Sequence, residues 1–131
     1  MKPGTKTNSR ARHGALALTC AALLVASCGT PGPTAPAPRP LVLDIAAGKI
    51  AEQCFKLDKG ERIEYQFQAT SELDFNLHTH RGGEIVMPVN VERTRQQAGV
   101  FTSPGAEDYC MMWTNQHAVP ARITGQWRRL R

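Results

Sequence analysis

The stretch Arg62-Ile63-Glu64-Tyr65-Gln66-Phe67-Gln68-Ala69 decides the fold. Apolar and polar residues alternate along it without a break. Side chains on a strand point to opposite faces in turn, so Ile63, Tyr65, Phe67 and Ala69 share one face while Arg62, Glu64, Gln66 and Gln68 share the other. A helix would scatter both sets around its axis. The stretch therefore reads as a half-buried antiparallel strand. Leu73, Phe75 and Leu77 carry the inward pattern onward, and Asp74, Asn76, His78 and His80 fall on the opposite, polar face, expected to meet solvent.

Outward from this strand the same period recurs in short pieces. Leu41, Leu43 and Ile45 alternate, as do Phe55-Lys56-Leu57 ahead of the turn signal Asp58-Lys59-Gly60. Between them, Ala46 to Cys54 is ambiguous: Asp44 could cap a helix that Gly48 weakens. Arg81-Gly82-Gly83 reads as a turn into a strand over Glu84 to Val89, with Pro88 near its end. Val91 to Gln97 reads as a strand edge or a loop, and Gly99 to Thr102 as a short apolar piece before Ser103-Pro104-Gly105. Tyr109, Met111 and Trp113 alternate with Cys110, Met112 and Thr114, and Val119, Ala121, Ile123 and Trp127 form a last strand. Seven to eight short strands with turn-punctuated spacing and no convincing helix predict an all-β antiparallel sandwich.

The N-terminal end has a different character. Lys2, Lys6, Arg10 and Arg12, with no acid among them, precede an apolar run from Ala15 to Ser27, and small residues lead to Cys28. A basic start, a short hydrophobic core and small residues at a processing point make a secretory signal. The run is too short for a membrane span, which needs about 20 apolar residues. Val25-Ala26-Ser27-Cys28 resembles the bacterial lipoprotein signal-peptide motif, in which the cysteine is diacylated and becomes the first mature residue. Ordinary cleavage that leaves Cys28 a free thiol is the alternative. The resemblance implies a signal peptide over 1–27, a membrane anchor through the lipid on Cys28, and a place in the cell envelope. Because Gly29 is not aspartate, that place in a Gram-negative cell is the outer membrane, facing the periplasm. Gly29 to Pro40 holds five prolines in twelve residues and no large apolar side chain. Such a segment buries no core and favours extended conformations, so 28–40 reads as a tether and 41–131 as the folded domain.

The formal charge of +5 depends on the leader. All eleven acids follow Cys28, whereas four of the sixteen basic residues precede it, so twelve bases face eleven acids after cleavage. That balance gives no basic face for nucleic acid. Cys20 leaves with the signal, and Cys28 carries the lipid. Cys54 and Cys110 then remain as two thiols in an oxidising compartment, where a disulfide is the default. It would close a loop of about 57 residues, worth on the order of 4 kcal/mol in the chain-entropy model.

Two patches together resemble a known family. Cys54-Phe55, Gly60, the strand to Phe67 and Asp74-Phe75 form the first; Gly99-Val100-Phe101, Tyr109, Trp113 and Asn115 form the second. The layout is similar to the GOLD (Golgi dynamics) domain, a compact, jelly-roll-like β-sandwich of cargo receptors and lipid-transfer proteins. In that family an early Cys-Phe pairs by disulfide with a late cysteine, and a late strand carries a tyrosine and then aromatic-x-Asn. There the late cysteine lies three residues before the asparagine; Cys110 lies five before Asn115, which keeps its side of the strand. The resemblance implies a protein- or lipid-binding module without catalysis.

His78-Thr79-His80 raises a second possibility. Two histidines two apart on a strand present both imidazoles on one face, a geometry suited to zinc or copper. With Glu84, the pattern His-x-His-x-x-x-Glu resembles the first metal motif of cupins. The flanking glycines and the second motif of that family are missing, and His117 is the one further candidate ligand. Met111 and Met112 could offer copper(I) soft ligands, although Met111 is expected in the core. No nucleophile triad and no phosphate-cradling glycine loop can be singled out. The readings rank as a tethered, non-catalytic binding module, then a periplasmic metal binder using His78, His80, Glu84 and His117, then a cupin-like metalloenzyme.

Overall fold

The central strand, β3, runs from Arg62 to Arg81, far beyond its clean alternation. The strand runs on through Thr70-Ser71-Glu72, where it bends without leaving the sheet. A register shift between Gln68 and Leu73 marks the bend. The computed structural model describes residues 36–130; the expected signal peptide, Cys28, the first part of the proline-rich segment and Arg131 lie outside the described residues.

One edge of β3 pairs along its length with β4 (Glu84–Thr102). Its other edge pairs with β6 (Ala121–Leu130) from Arg62 to Ala69, then with β5 (Glu107–Thr114) from Asp74 to Thr79. The bend thus divides the strands into two halves. One half holds β1 (Arg39–Ile45), β6, the start of β3 and the end of β4. The other holds β2 (Ile50–Leu57), β5, the end of β3 and the start of β4. Among the described residues, six strands replace the expected seven to eight because β3 and β4 each serve both halves. Val91 to Gln97, ambiguous in the sequence, is the stretch of β4 that crosses the bend. Arg93 adopts φ 54° there, and its backbone N–H donates to Asp74 Oδ1 at 3.0 Å.

The inner faces of the two halves meet in one aromatic core. Phe67 lies 5.0 Å from Phe75 and 5.5 Å from Trp113 between ring centres, and Phe55 stacks 5.0 Å from Trp127. Ile63, Tyr65, Leu73, Leu77, Tyr109 and Met111 fill the space between, as their strand parity requires. Such burial is the main stabilising term of a domain this small. The described residues are all-β and antiparallel, with no helix. Ala46 to Cys54 resolves into a turn, where Gly48 takes φ 65°, followed by β2. Val119 is exposed in the loop before β6, so the last strand opens at Ala121 instead.

Cys54 and Cys110 are bonded and stand directly opposite one another across β2 and β5, with Cα atoms 4.0 Å apart. Phe55 and Tyr109 take the inward positions beside them, so the bridge sits on the outer face. The expected disulfide between them is thus present, and strand parity turns it away from the core side chains.

Gly125 marks the tightest approach of β6 to β3. A Cβ there would overlap the Gln66 carbonyl oxygen and stand 2.7 Å from Phe67 Cα. Backbone cannot yield as a flexible side chain can. Gly125→Ala is expected to cost about 1–3 kcal/mol, seen as a lowered urea midpoint. A midpoint equal to wild type would show that the two strands can part without penalty.

Candidate functional site

Each half has an outer face. On the β1–β6–β3–β4 half, paired positions line up Gln66 with Gln126 and Ala98, and Gln68 with Thr124 and Gln96. All six side chains are exposed. They line two adjoining grooves of about 460 and 580 Å³, which share Gln66 and Ala98. Ala98 keeps part of the lining low, and the glutamines supply the polar groups. The Arg128–Glu64 ion pair, 2.6 Å between Nε and Oε2, closes one end, and Pro38, at the start of the described chain, lines the same end. Each glutamine amide offers two donors and one carbonyl acceptor without net charge. The groove can thus exchange hydrogen bonds with a neutral polar ligand. The sequence reading assigned Gln66 and Gln68 to a solvent face but missed the groove, because Gln96 and Gln126 join them only through pairing.

The outer face of the β2–β5–β3–β4 half carries the histidines. His78 stands opposite Cys110, and Asn76 and Glu52 flank Met112 on the neighbouring row. The expected solvent-facing row proves uneven: Asn76 and His78 are buried, at 6% and 3% exposure, whereas His80 is exposed. Opposite His78 the β4 register is irregular. Leu77 pairs with Val89 and Thr79 with Val86, so Met87 and Pro88 both stand opposite His78 in a bulge. Proline is tolerated at such bulges and on edge strands. His78 Nδ1–H donates to Asn76 Oδ1 at 2.8 Å, and its Nε2 points to Glu52 Oε1 at 3.8 Å. Burial lowers the His78 pKa; the Glu52 carboxylate acts in the opposite direction, and His80 lowers it further.

The four expected metal ligands do not assemble as a set. Gly82 and Gly83 take φ 58° and 86°, a tight two-residue reversal with both glycines in the left-handed region. It pairs Glu84 with Arg81 and Ile85 with His80. Paired residues share a face, so Glu84 belongs with Arg81 on the face opposite His80. His117 lies beyond β5 in a separate groove with Glu72, Asp74 and Glu92. Thr114, which lines that groove, already stands four residues along β5 from Cys110, about 13 Å. The histidine pair does meet, with ring centres 5.2 Å apart. Glu52, not singled out from the sequence, is the carboxylate beside it. Among the described residues, the metal-ligand side chains drawn within 4.8 Å of one another are Glu52, Cys54 and Cys110. The two sulfurs there are already spent on the disulfide.

No protein-family model matches the sequence, and no curated protein matches it either. Among solved structures, the chain is similar to the Yersinia pseudotuberculosis-derived mitogen YPM, with TM-score 0.51 and 10% identity over 71% of this chain and 86% of that one. It is similar to PliG of Aeromonas hydrophila, a periplasmic lysozyme inhibitor of g-type lysozyme, with TM-score 0.51 and 13% identity over 70% and 86%. It is also similar to TmCBM61, solved in complex with β-1,4-galactotriose, with TM-score 0.50 and 12% identity over 69% and 68%. At these identities the likeness is one of fold.

Proposed function

We propose that this chain is a cell-envelope lipoprotein, anchored through a diacylated Cys28, whose β-domain binds a neutral saccharide chain without catalysing its conversion. The glutamine-lined groove carries the reading. Its glutamine amides match the hydroxyls of a sugar as donors and acceptors. The signal-peptide motif supports the envelope and the outer membrane as its place. PliG, a periplasmic inhibitor, and TmCBM61, seen with a galactotriose, use a similar fold to engage other molecules.

The test is calorimetric titration of the full, disulfide-intact chain with neutral oligosaccharides of several linkages. At least one is expected to bind, and the double variant Gln66→Ala, Gln126→Ala to bind it about tenfold more weakly, the loss expected from one or two hydrogen bonds. No binding across the panel, or an unchanged affinity in the double variant, overturns the proposal.

A further inference from the structure

The other outer face holds an arrangement that the groove reading does not use and does not depend on. His78 is fixed: it is buried and gives its Nδ1–H to Asn76 Oδ1 at 2.8 Å. In the neutral ring Nε2 is then a bare acceptor. It faces Glu52 Oε1, another acceptor, at 3.8 Å. Two lone-pair acceptors facing one another repel unless a proton or a metal ion lies between them. The pairing of one ring nitrogen to an amide oxygen while the other is left free is also how proteins orient a metal-bound histidine.

We propose that the outer face of the β2–β5–β3 segment binds a zinc-class divalent ion between His78 Nε2, His80 and Glu52. Zinc holds nitrogen at about 2.0–2.1 Å and carboxylate oxygen at about 2.0–2.2 Å, so a tetrahedral ion sets those two atoms roughly 3.4 Å apart. The observed 3.8 Å needs a shift of a few tenths of an ångström. Two imidazoles on one tetrahedral ion hold their ring centres about 5 Å apart; the His78 and His80 centres are 5.2 Å apart. Closing the site takes rotation of His80 and Glu52, both surface side chains, onto the fixed His78. Two imidazoles and one carboxylate suit zinc and leave a fourth position for water.

This set differs from the one the sequence suggests. Glu52 replaces Glu84, which the Gly82-Gly83 reversal sends to the opposite face, and His117 lies too far along the sheet. Both make internal controls. The experiment is competition for zinc between a chromophoric chelator and the full chain, its disulfide intact and no reductant present, at neutral pH. The bridge must stay closed because freed Cys54 and Cys110 thiols beside Glu52 would bind zinc themselves. One zinc per chain is expected. Glu52→Gln and His80→Ala should each weaken it at least tenfold, with apo melting temperatures unchanged because both side chains are exposed. Glu84→Gln and His117→Ala should bind as wild type. Absence of zinc uptake by the oxidised chain overturns the proposal. So does wild-type affinity in Glu52→Gln and His80→Ala, or loss of binding in Glu84→Gln or His117→Ala.

Discussion

Replacing Cys54 and Cys110 together by serine is expected to lower stability by about 4 kcal/mol, the chain-entropy value for a loop this long. The bond joins residues 56 apart in sequence. For a domain of roughly 95 residues that loss lowers the melting temperature by about 15–30 °C. The position of the bridge sharpens the expectation. Cys54 is exposed and Cys110 half-buried on the outer face, so serine leaves the aromatic core as it was. The effect should therefore come mainly from the greater freedom of the unfolded chain, with a smaller loss in the native state at β2. That strand closes the sheet order and pairs only with β5, so the bridge pins an edge. Thermal and urea melts of the oxidised wild type and the double variant measure the difference. Backbone amides of β2 should exchange faster in the variant even where it remains folded. A fall of less than about 5 °C would show that the cross-strand pairing of β2 holds the unfolded ensemble together without the bond.

What the sequence made legible depended on how local each signal was. The alternation around Tyr65 and Phe67 placed Ile63, Leu73, Phe75, Leu77, Tyr109, Met111 and Trp113 in the core, and the structure buries all of them. Period two needs only neighbours along one strand. It could not show that Thr70 to Glu72 bends rather than breaks β3, since nothing in those residues marks a turn or excludes one. Nor could it show that Met87 and Pro88 both oppose His78, because a bulge belongs to a strand pair. Burial also separates His78 from exposed His80, two residues that parity alone makes equivalent. The saccharide groove and the Glu52–His78 contact likewise arise from pairing between distant strands. A strand pairing of Cys54 with Cys110 does put Glu52, two residues before Cys54, on the same face. Ala46 to Cys54, however, carries no period that separates helix from strand, so the side Glu52 takes is not set by its own neighbours.

Asn115 shows how much of such a fold hangs on one polar side chain. It ends the aromatic-x-Asn pattern after Trp113 and is fully buried. Its Nδ2 donates to the carbonyl oxygens of Ile45 at 3.2 Å, Ala46 at 3.2 Å and Val119 at 2.9 Å, while its Oδ1 accepts the His117 backbone N–H at 3.0 Å. Its own N–H donates to Lys49 O at 2.9 Å. The amide thus ties the turn between β1 and β2 to the loop between β5 and β6. Asn115→Ala would strand several backbone groups at a buried position. At about 1 kcal/mol or more for each unmet partner, the expected loss is about 3–4 kcal/mol. Asn115→Asp gives the sharper test. The carboxylate keeps the acceptor but turns its other oxygen toward three carbonyl oxygens, so burial and repulsion favour its protonated form. Its folded-state pKa should then rise above the unfolded value of about 3.9. Stability should be greatest below that value, where the acid can donate, and should be lost as pH rises through the folded pKa. Urea midpoints between pH 4 and 8, each compared with wild type at the same pH, measure this. A deficit that does not shrink on acidification, or an alanine variant within about 1 kcal/mol of wild type, would mean the two loops are held by their backbone contacts alone.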